Sequence, residues 1–277
     1  MPKQRGLTQA ELAKPYAKYF DRPMTAAPQE IYDFLSKGPI DPADALPIQR
    51  RNDILRAGYL PAERGWCAMS DGSYFVAGLT KMPGVSAEMI AWWFAWHGLE
   101  DLRYMIWDPD EHYGIHVKPE DLEHRLNYDL SLTERNWGTT DIVVEDVGGG
   151  SVELHIHFMS PADFGYDMGL FEREKVPVAV NSNTSSAIFG GKSVISFSHV
   201  VREIEGGIEL RSRFWIGWII QDKKPVRAGQ NLPAGMLEEI ARGLAYHCPK
   251  EYYNLAAILP QVYAENHTVR DRIEDFR

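Results

Sequence analysis

The stretch YHCPKEYYNLAAILP, residues 246–260, sets the architecture that the sequence predicts, because it ends the longest predicted helix, roughly Ala234 to Leu259. At 100° per residue, the apolar side chains of this helix form one stripe, and His247 and Glu251 lie on it. A charged Glu beside a His in a buried row is costly unless both have partners, and a metal ion would serve both. The stripe spans an arc of roughly 80° and contains Leu237, Ile240, Leu244, His247, Glu251, Leu255 and Ile258.

Length, composition and charge place the chain among globular proteins. It has 277 residues and 44% hydrophobic content, which is enough for a sizeable core. The net charge is −10. No Lys/Arg cluster exceeds short pairs, which argues against nucleic acid or a membrane surface as a partner. The sequence has neither a secretory signal nor a membrane-length apolar run, so we expect a soluble cytoplasmic protein with Cys67 and Cys248 reduced.

The strand signals come mainly as hairpins. Two apolar runs surround an Asp-Gly turn in residues 66–84, and two longer runs surround a Gly-Gly turn in residues 192–220. The segment TTDIVVEDVGGGSVELHIHFM, residues 139–159, predicts a third hairpin with a three-glycine turn. Hairpins followed by one long helix predict an α+β fold, in which an antiparallel sheet wraps the C-terminal helix and leaves a cavity for a small ligand.

The rest of the chain predicts helices and irregular structure. Residues 1–60 are expected to form a helical N-terminal arm and residues 61–277 the main domain. We expect the arm to contact a second copy of the chain in a homo-oligomer, such as a homodimer. Ser86 can cap a short helix that ends near Gly98, and the polar residues 108–136 predict irregular structure.

The predicted cavity leaves two classes of function open. One is an enzyme built inside the cavity. The alternative is a non-catalytic protein that binds an aromatic polyketide or lipid, which would have no use for His247 and Glu251 on a buried stripe. Their spacing alone would also suit a surface ion pair. The sequence contains no signature of a nucleotide-binding loop, a serine hydrolase or a dithiol redox site.

Two further pairs of histidines are candidate metal ligands. His112 and His116 are four residues apart in WDPDEHYGIH, residues 107–116, where proline and glycine argue against a regular helix. Either one of these imidazoles, on a loop, meets the terminal helix, or both are solvated loop histidines without a function. His155 and His157 share one face of a strand, which is either a metal-binding pattern or a solvated face.

The strand ELRSRFWIGWII, residues 209–220, carries Arg211 and Arg213 beside Trp215 on one face. The arginines either form an exposed ladder across the hairpin or place a guanidinium in a polar cavity. Trp215 is a candidate contact for a flat aromatic ligand, although large aromatic residues are more often part of a core. Periodicity leaves these alternatives open.

Three blocks of sequence together resemble the 2,4-diacetylphloroglucinol hydrolase family, which includes phloretin hydrolase. They are WWFAWHGLEDLRYMIWDPDEHYGI (92–115), GGIELRSRFWIGW (206–218) and HCPKE (247–251). The resemblance implies a helix-grip fold like that of the birch-pollen allergen (Bet v 1-like), preceded by a helical part. It also implies hydrolysis of the carbon–carbon bond between an acyl group and a phloroglucinol ring in a small aromatic ketone. The cofactor that it implies is Zn²⁺ held by two His and two Glu.

Carried over by the resemblance, the zinc ligands are His112, His247, Glu251 and one hairpin carboxylate. Glu145 is the assignment for that carboxylate, with Asp141 or Glu153 as alternatives.

The resemblance also bears on the substrate site. Tyr104 matches a tyrosine that contacts the ring hydroxyls of the substrate. Ile115 stands near a position where the family can offer a substrate-binding Asn, and this departure concerns acyl or ring specificity rather than the metal.

The implied chemistry needs a general acid–base group and hydrogen-bond donors to the ring oxygens. His199, in the strand SFSHVVRE, is the candidate acid–base residue. Tyr104 and Arg213 are the candidate donors, with Trp215 as a further substrate contact.

Overall fold

The computed structural model describes residues 5–276, and its largest element is an eight-stranded antiparallel sheet. The strands are β1 Gly65–Ala68, β2 Tyr74–Pro83, β3 His112–Val117, β4 Thr140–Asp146, β5 Ser151–Met159, β6 Ala179–Ser185, β7 Ser193–Ile204, β8 Gly207–Ile216, β9 Trp218–Gln221 and β10 Lys224–Arg227. The order across the large sheet is β1-β2-β8-β7-β6-β5-β4-β3, and β9 pairs with β10 in a separate small sheet.

A long C-terminal helix packs against one face of this sheet, which we call the inner face. The α-helices are α1 Gln9–Leu12, α2 Gln29–Leu35, α3 Ala87–Trp96, α4 Asp101–Met105, α5 Leu122–Arg125, α6 Met168–Arg173 and α7 Ala234–Asn266. Residues of α3 and α7 share one hydrophobic cluster with the inner face. The predicted helix-grip architecture, an α+β fold with an antiparallel sheet around the terminal helix, is confirmed.

Most of the predicted local structure forms. The three predicted hairpins are present as β1–β2, β4–β5 and β7–β8. The Ser86 hydroxyl caps α3 by accepting a hydrogen bond from the Met89 backbone N–H. Helix α7 continues past its predicted end at Leu259, and it runs through Pro249 and Pro260 without ending.

Two strands of the sheet were not predicted. β3 lies inside the segment predicted to be irregular, and a register shift between His112 and Gly114 interrupts its pairing with β4. β6 has the sequence AVNSNTS, and its Asn and Ser residues are uncommon in strands. Tertiary pairing with neighbouring strands, rather than local propensity, forms both elements.

The outer face of the sheet is covered as well. Hydrophobic residues between Ala45 and Ala62, including the 3₁₀ segment Ile48–Leu55, pack with α6 against strands β2 and β8. The division of the chain into residues 1–60 and 61–277 stays a prediction. Residues 1–4 and 277 of those two segments lie outside the described residues.

A close contact between α7 and the three-glycine turn positions β4 against the helix. A Cβ atom at Gly243 would lie 1.7 Å from the carbonyl oxygen of Val147, so only glycine fits there. In the turn, Gly148 has a φ of +100°, a conformation that other residues rarely adopt. Because Gly243 lies one turn before His247, the contact brings the end of β4 to that side chain.

Two further expectations concern the thiols and the membrane. Cys67 and Cys248 are buried free thiols, as predicted. Within residues 5–276, no helix is both long enough and apolar enough to cross a membrane.

Candidate active site

Four side chains from three elements converge on the inner face of the sheet. His112 begins β3 and pairs with Glu145 on β4, while His247 and Glu251 lie one turn apart on α7. Nε2 of His112 lies 3.7 Å from Glu145 Oε2 and 3.6 Å from Glu251 Oε2. Nε2 of His247 lies 3.8 Å from the same oxygen of Glu251. All four side chains are buried, and we call them the His/Glu cluster.

A backbone contact fixes which nitrogen of His112 faces the cluster. Nδ1 lies 3.2 Å from the carbonyl oxygen of Tyr104, which can only accept, so Nδ1 carries the proton and Nε2 the lone pair. Nε2 is buried and has no hydrogen-bond partner among residues 5–276. The imidazole also stacks on the Tyr104 ring, with 4.0 Å between ring centroids. A buried lone pair facing two carboxylates calls for a cation between them.

A carboxylate orients His247 in a similar way. Nδ1 of His247 donates to Glu111 Oε2 at 2.6 Å, which leaves Nε2 to face Glu251. Glu111 Oε1 lies 2.9 Å from Lys250 Nζ, which is also 3.2 Å from Oδ1 of the buried Asp108. Ligand atoms of Asp108, Glu111 and His247 lie within 4.8 Å of one another, but the Lys250 ammonium already pairs with both of these carboxylates. An outer carboxylate of this kind orients a metal-binding imidazole and increases its basicity.

The electrostatics of the cluster favour a cation. Burial raises the pKa of Glu145, and it raises the pKa of Glu251 well above its ordinary value. Burial lowers the pKa of His112 well below its ordinary value, so this imidazole is neutral. Burial also opposes a charge on His247, but Glu251, Glu111 and Glu145 outweigh it and raise the pKa of His247 to about 10. A bound cation would supply the positive charge that these carboxylates attract.

The distances within the cluster fit one shared ion. At 3.6–3.8 Å the nitrogen–oxygen pairs are too long for hydrogen bonds. Two ligands bound at ~2.0–2.2 Å to a tetrahedral ion lie about 3.3–3.6 Å apart. Ligand atoms of His112, Glu145 and His247 all lie within 4.8 Å of one another. The cluster can therefore hold a metal ion.

A cavity of about 70 Å³ lies beside the cluster, and Glu145, His247 and Glu251 form part of its wall. Since one water needs about 10–15 Å³, the cavity has room for several. Most of its remaining wall is apolar, and this wall suits a flat aromatic ligand. The phenylalanine and tryptophan residues of that wall are Phe94, Trp107, Phe158, Phe197 and Phe214.

Two of the predicted substrate-site residues line this cavity. The Tyr104 hydroxyl donates a hydrogen bond to Glu145, one of the cluster carboxylates. His199 faces the cavity from β7, and its Nδ1 lies 2.7 Å from Ser212 Oγ. Burial lowers the pKa of His199 to about 3, so its imidazole is neutral at pH 7.

Arg213 and Trp215 lie on the outer face of β8, away from the cavity. Arg213 bonds to Glu63 at 2.6 Å, and Nε1 of Trp215 donates to the Leu46 carbonyl oxygen at 2.7 Å. Phe214 between them lines the cavity, because successive side chains of a strand point to opposite faces. The expectation that Arg213 and Trp215 face the substrate is therefore wrong.

The other candidate ligands lie outside the cluster. His155 and His157 are on the outer face of β5, where His155 Nε2 lies 2.9 Å from Oε1 of the exposed Glu153. Asp141 lies on the inner face but forms an ion pair with Arg125. The structure therefore brings neither of the two alternative carboxylates to the cluster.

The sequence reasoning missed four polar residues of the site: His97, which lines the cavity, and Glu111, Lys250 and Tyr252. Glu111 directly precedes one predicted ligand, and Lys250 follows another by three residues on the same helix. A search for acidic and basic neighbours of the predicted ligands would have found both. Tyr252 lies beside the apolar stripe, and helical periodicity alone gives no sign that it faces a cavity.

A comparison with protein families identifies the family of the chain. The model of the DAPG hydrolase PhiG domain family matches residues 46–264. The chain belongs to this family. The family predicted from the sequence is thereby confirmed, and the protein is a hydrolase rather than the non-catalytic binding protein of the alternative hypothesis.

Curated members of the family are similar over most of their length. The chain is 35% identical over 268 residues to phloretin hydrolase of Eubacterium ramulus, covering 94% of this chain and 93% of that protein. It is 31% identical over 269 residues to 2,4-diacetylphloroglucinol hydrolase of Pseudomonas protegens, covering 91% of this chain and 84% of that protein.

Two solved structures are similar at low identity. Ara h 8.0201 is 12% identical, with a TM-score of 0.34 and coverage of 66% of this chain and 99% of that one. Norcoclaurine synthase from Thalictrum flavum is 11% identical, with a TM-score of 0.38 and coverage of 70% of this chain and 88% of that one.

Proposed function

We propose that the protein is a zinc-dependent hydrolase that cleaves the carbon–carbon bond between an acyl group and a phloroglucinol-type aromatic ring. The names of its relatives, phloretin hydrolase and 2,4-diacetylphloroglucinol hydrolase, support this substrate class. The observation that carries the proposal is the convergence of two imidazoles and two carboxylates beside an aromatic cavity.

Zinc suits this set of donors, because it accepts neutral imidazole and carboxylate ligands. His112, Glu145, His247 and Glu251 would hold it. When bound, zinc polarises an acyl carbonyl and lowers the pKa of a water molecule toward ~7. The Tyr104 carbonyl and the Glu111 carboxylate keep the two imidazoles oriented toward the centre of the cluster.

The proposed reaction adds water across the bond between the ring and the acyl carbon. The ring carbon that bears the acyl group first takes up a proton, which gives a β-dicarbonyl tautomer. Water then adds to the acyl carbonyl, and the carbon–carbon bond breaks with its electron pair moving into the ring as a phenolate. The products are the free carboxylic acid and the deacylated ring.

His199 is the proposed carrier of the proton. Its imidazole lines the cavity, where it can accept a proton from a ring hydroxyl and return it to the ring carbon. The sum of the two transfers is the tautomerisation that precedes bond cleavage. The aromatic wall holds the flat ring and excludes water from it.

The proposal is tested with protein purified without a histidine tag. Acetyl- and dihydrocinnamoyl-phloroglucinols are supplied, release of the free acid is measured, and zinc per chain is determined. Close to one zinc per chain together with acid release agrees with the proposal. Failure to hydrolyse any of these ketones would contradict it.

Replacement of Tyr104 by Phe tests the substrate contact. We expect kcat/KM to fall about tenfold or more, because a hydroxyl donor near the ring oxygens is lost. Zinc per chain should stay at the wild-type value, because the variant keeps every ligand atom of the cluster. Zinc loss in this variant would instead mean that Tyr104 acts by supporting Glu145, to which it donates.

Replacement of Glu111 by Gln tests the orientation of His247. We expect zinc affinity to fall about 10- to 100-fold, because the variant lacks the charge that orients and activates this imidazole. Competition with a chelator measures the affinity. Asp110→Asn is the matched control, since Asp110 is on the same loop, is 66% exposed and lies 3.5 Å from Lys250. Equal zinc affinity in the two variants would contradict the orienting role.

Two expectations from the sequence stay predictions: a homo-oligomer and a cytoplasmic location. Light scattering of the purified protein measures the first, and fractionation of the source cells measures the second.

A further inference from the structure

The Tyr252 hydroxyl is a buried polar group whose hydrogen-bonding capacity the protein leaves unused. The residue is 1% exposed and lines the cavity beside the His/Glu cluster. Its oxygen has no hydrogen-bond partner in the part of the chain that the structure describes. Buried hydroxyls are almost always paired, because an unpaired one has lost its water without replacement.

Other buried tyrosines behave differently. The Tyr104 hydroxyl donates to Glu145, and the Tyr166 hydroxyl donates to Ser198 Oγ at 2.7 Å. Among the described residues that line the cavity, Asp141 also has an unpaired buried oxygen, but its other oxygen is paired with Arg125. Tyr252 therefore presents an unpaired donor to the cavity.

The position of Tyr252 relates this donor to the reacting groups. Its ring centroid lies 5.2 Å from that of His199 and 5.2 Å from that of Trp107. The Trp107 ring in turn lies 5.1 Å from His112. The Tyr252 ring thus neighbours both His199 and Trp107, the tryptophan that also neighbours His112. Tyr252 follows Glu251 directly in the chain. A substrate whose acyl carbonyl reached the cluster would present its ring to His199 and Tyr252.

We propose that the Tyr252 hydroxyl donates a hydrogen bond to a ring oxygen of the phloroglucinol-type substrate. This inference rests on the proposed function, because that reaction places new negative charge on the ring oxygens when the carbon–carbon bond breaks. A phenol is a donor at pH 7, and a fixed donor in a dry cavity stabilises such charge strongly. The acyl oxygen has the cluster as its partner, so the ring oxygens are the acceptors left for Tyr252.

The test is the Tyr252→Phe variant, which lacks only the hydroxyl. With monoacetylphloroglucinol as substrate, we expect kcat/KM to fall about 100-fold. The affinity for phloroglucinol itself, measured by calorimetry, should fall about tenfold. Zinc per chain should not change. The temperature of unfolding should stay the same or rise, because the free protein loses no hydrogen bond and no longer buries an unpaired hydroxyl.

Tyr253→Phe is the matched control, since it makes the same change at the next residue of α7. Tyr253 is half-buried and is not among the residues that line the cavity. Its kcat/KM should stay within about twofold of the wild-type value. A stability loss confined to Tyr252→Phe, with activity falling only in proportion to the unfolded fraction, would assign Tyr252 a structural role and overturn the inference.

Failure of the inference and failure of the proposed function give different results. If the wild-type protein hydrolyses acylphloroglucinols and Tyr252→Phe does so within about twofold, only the inference is overturned. If the wild-type protein neither hydrolyses these ketones nor binds phloroglucinol, the proposed function is wrong and the inference is wrong with it.

Discussion

Replacement of His247 by Ala is expected to remove most of the bound zinc and to abolish hydrolysis of acylphloroglucinols. His112→Ala and Glu251→Gln should do the same, because each removes one of the proposed ligands, whose side chains converge on the inner face. The remaining ligands would then be buried around an incomplete set of donors. Zinc per chain after dialysis against a weak chelator, together with acid release, measures both effects.

The expectation differs sharply from that for a surface ion pair. A surface His–Glu pair contributes only ~0.3–0.5 kcal/mol, so its loss would barely change unfolding or activity. His155→Ala and His157→Ala are the controls, because these imidazoles lie on the outer face of β5. Both controls should keep zinc and activity. Full zinc in His247→Ala, or zinc loss in His155→Ala alone, would contradict the proposed ligands and indicate a metal site on β5.

Replacement of Glu63 by Ala is expected to lower the free energy of unfolding by about 3–5 kcal/mol, the largest stability effect that we predict. Glu63 lies 2.5 Å from Arg211 and 2.6 Å from Arg213, and the side chains of these arginines are 1% and 0% exposed. Without Glu63, two buried guanidinium groups would lose their common carboxylate. Backbone carbonyl groups, such as that of Ile54 at 2.7 Å from Arg211, would be their remaining acceptors.

Urea unfolding of Glu63→Ala and of Glu153→Ala measures this difference. Glu153 also forms an ion pair, with His155 at 2.9 Å, but its side chain is 56% exposed. The free energy of unfolding of the control, Glu153→Ala, should therefore fall by less than about 1 kcal/mol. Similar unfolding midpoints for the two variants would mean that the buried arginines find other partners when Glu63 is removed.

Helical periodicity predicted the part of the site that lies on α7. The apolar stripe placed His247 and Glu251 on a buried face, and both are buried in the structure. Periodicity could make this prediction because one side of α7 stays less buried than the rest, so burial varies with the 3.6-residue repeat. The choice of His112 over His116 came from the resemblance to a family, since β3 is short and interrupted by a register shift.

Alternation along a strand could not predict the orientation of Arg213 and Trp215. A strand with one solvated face shows polar and apolar residues in turn, but β8 is buried on both faces. Residues from the N-terminal part cover its outer face, and buried ion pairs with Glu63 make arginines acceptable there. Local sequence carries no information on which face such a strand presents to the cavity.

The identity of the hairpin carboxylate depended on pairing between strands. Asp141 and Glu145 both lie on the inner face of β4, so alternation does not distinguish them. The pairing of β3 with β4 does, because His112 lies opposite Glu145. Arg125, at the end of helix α5, forms an ion pair with Asp141, so this carboxylate already has a partner. Both facts are tertiary and could not be obtained from the strand alone.

Anomalous diffraction at the zinc absorption edge, from crystals of the wild-type protein, locates the metal directly. The proposed function predicts one strong peak within about 2.0–2.2 Å of the Nε2 atoms of His112 and His247, with Glu145 and Glu251 completing the shell. A peak beside Asp108, Glu111 and the Nδ1 atom of His247, or on the His155–His157 strand, would contradict that assignment. So would crystals of active protein with no zinc peak.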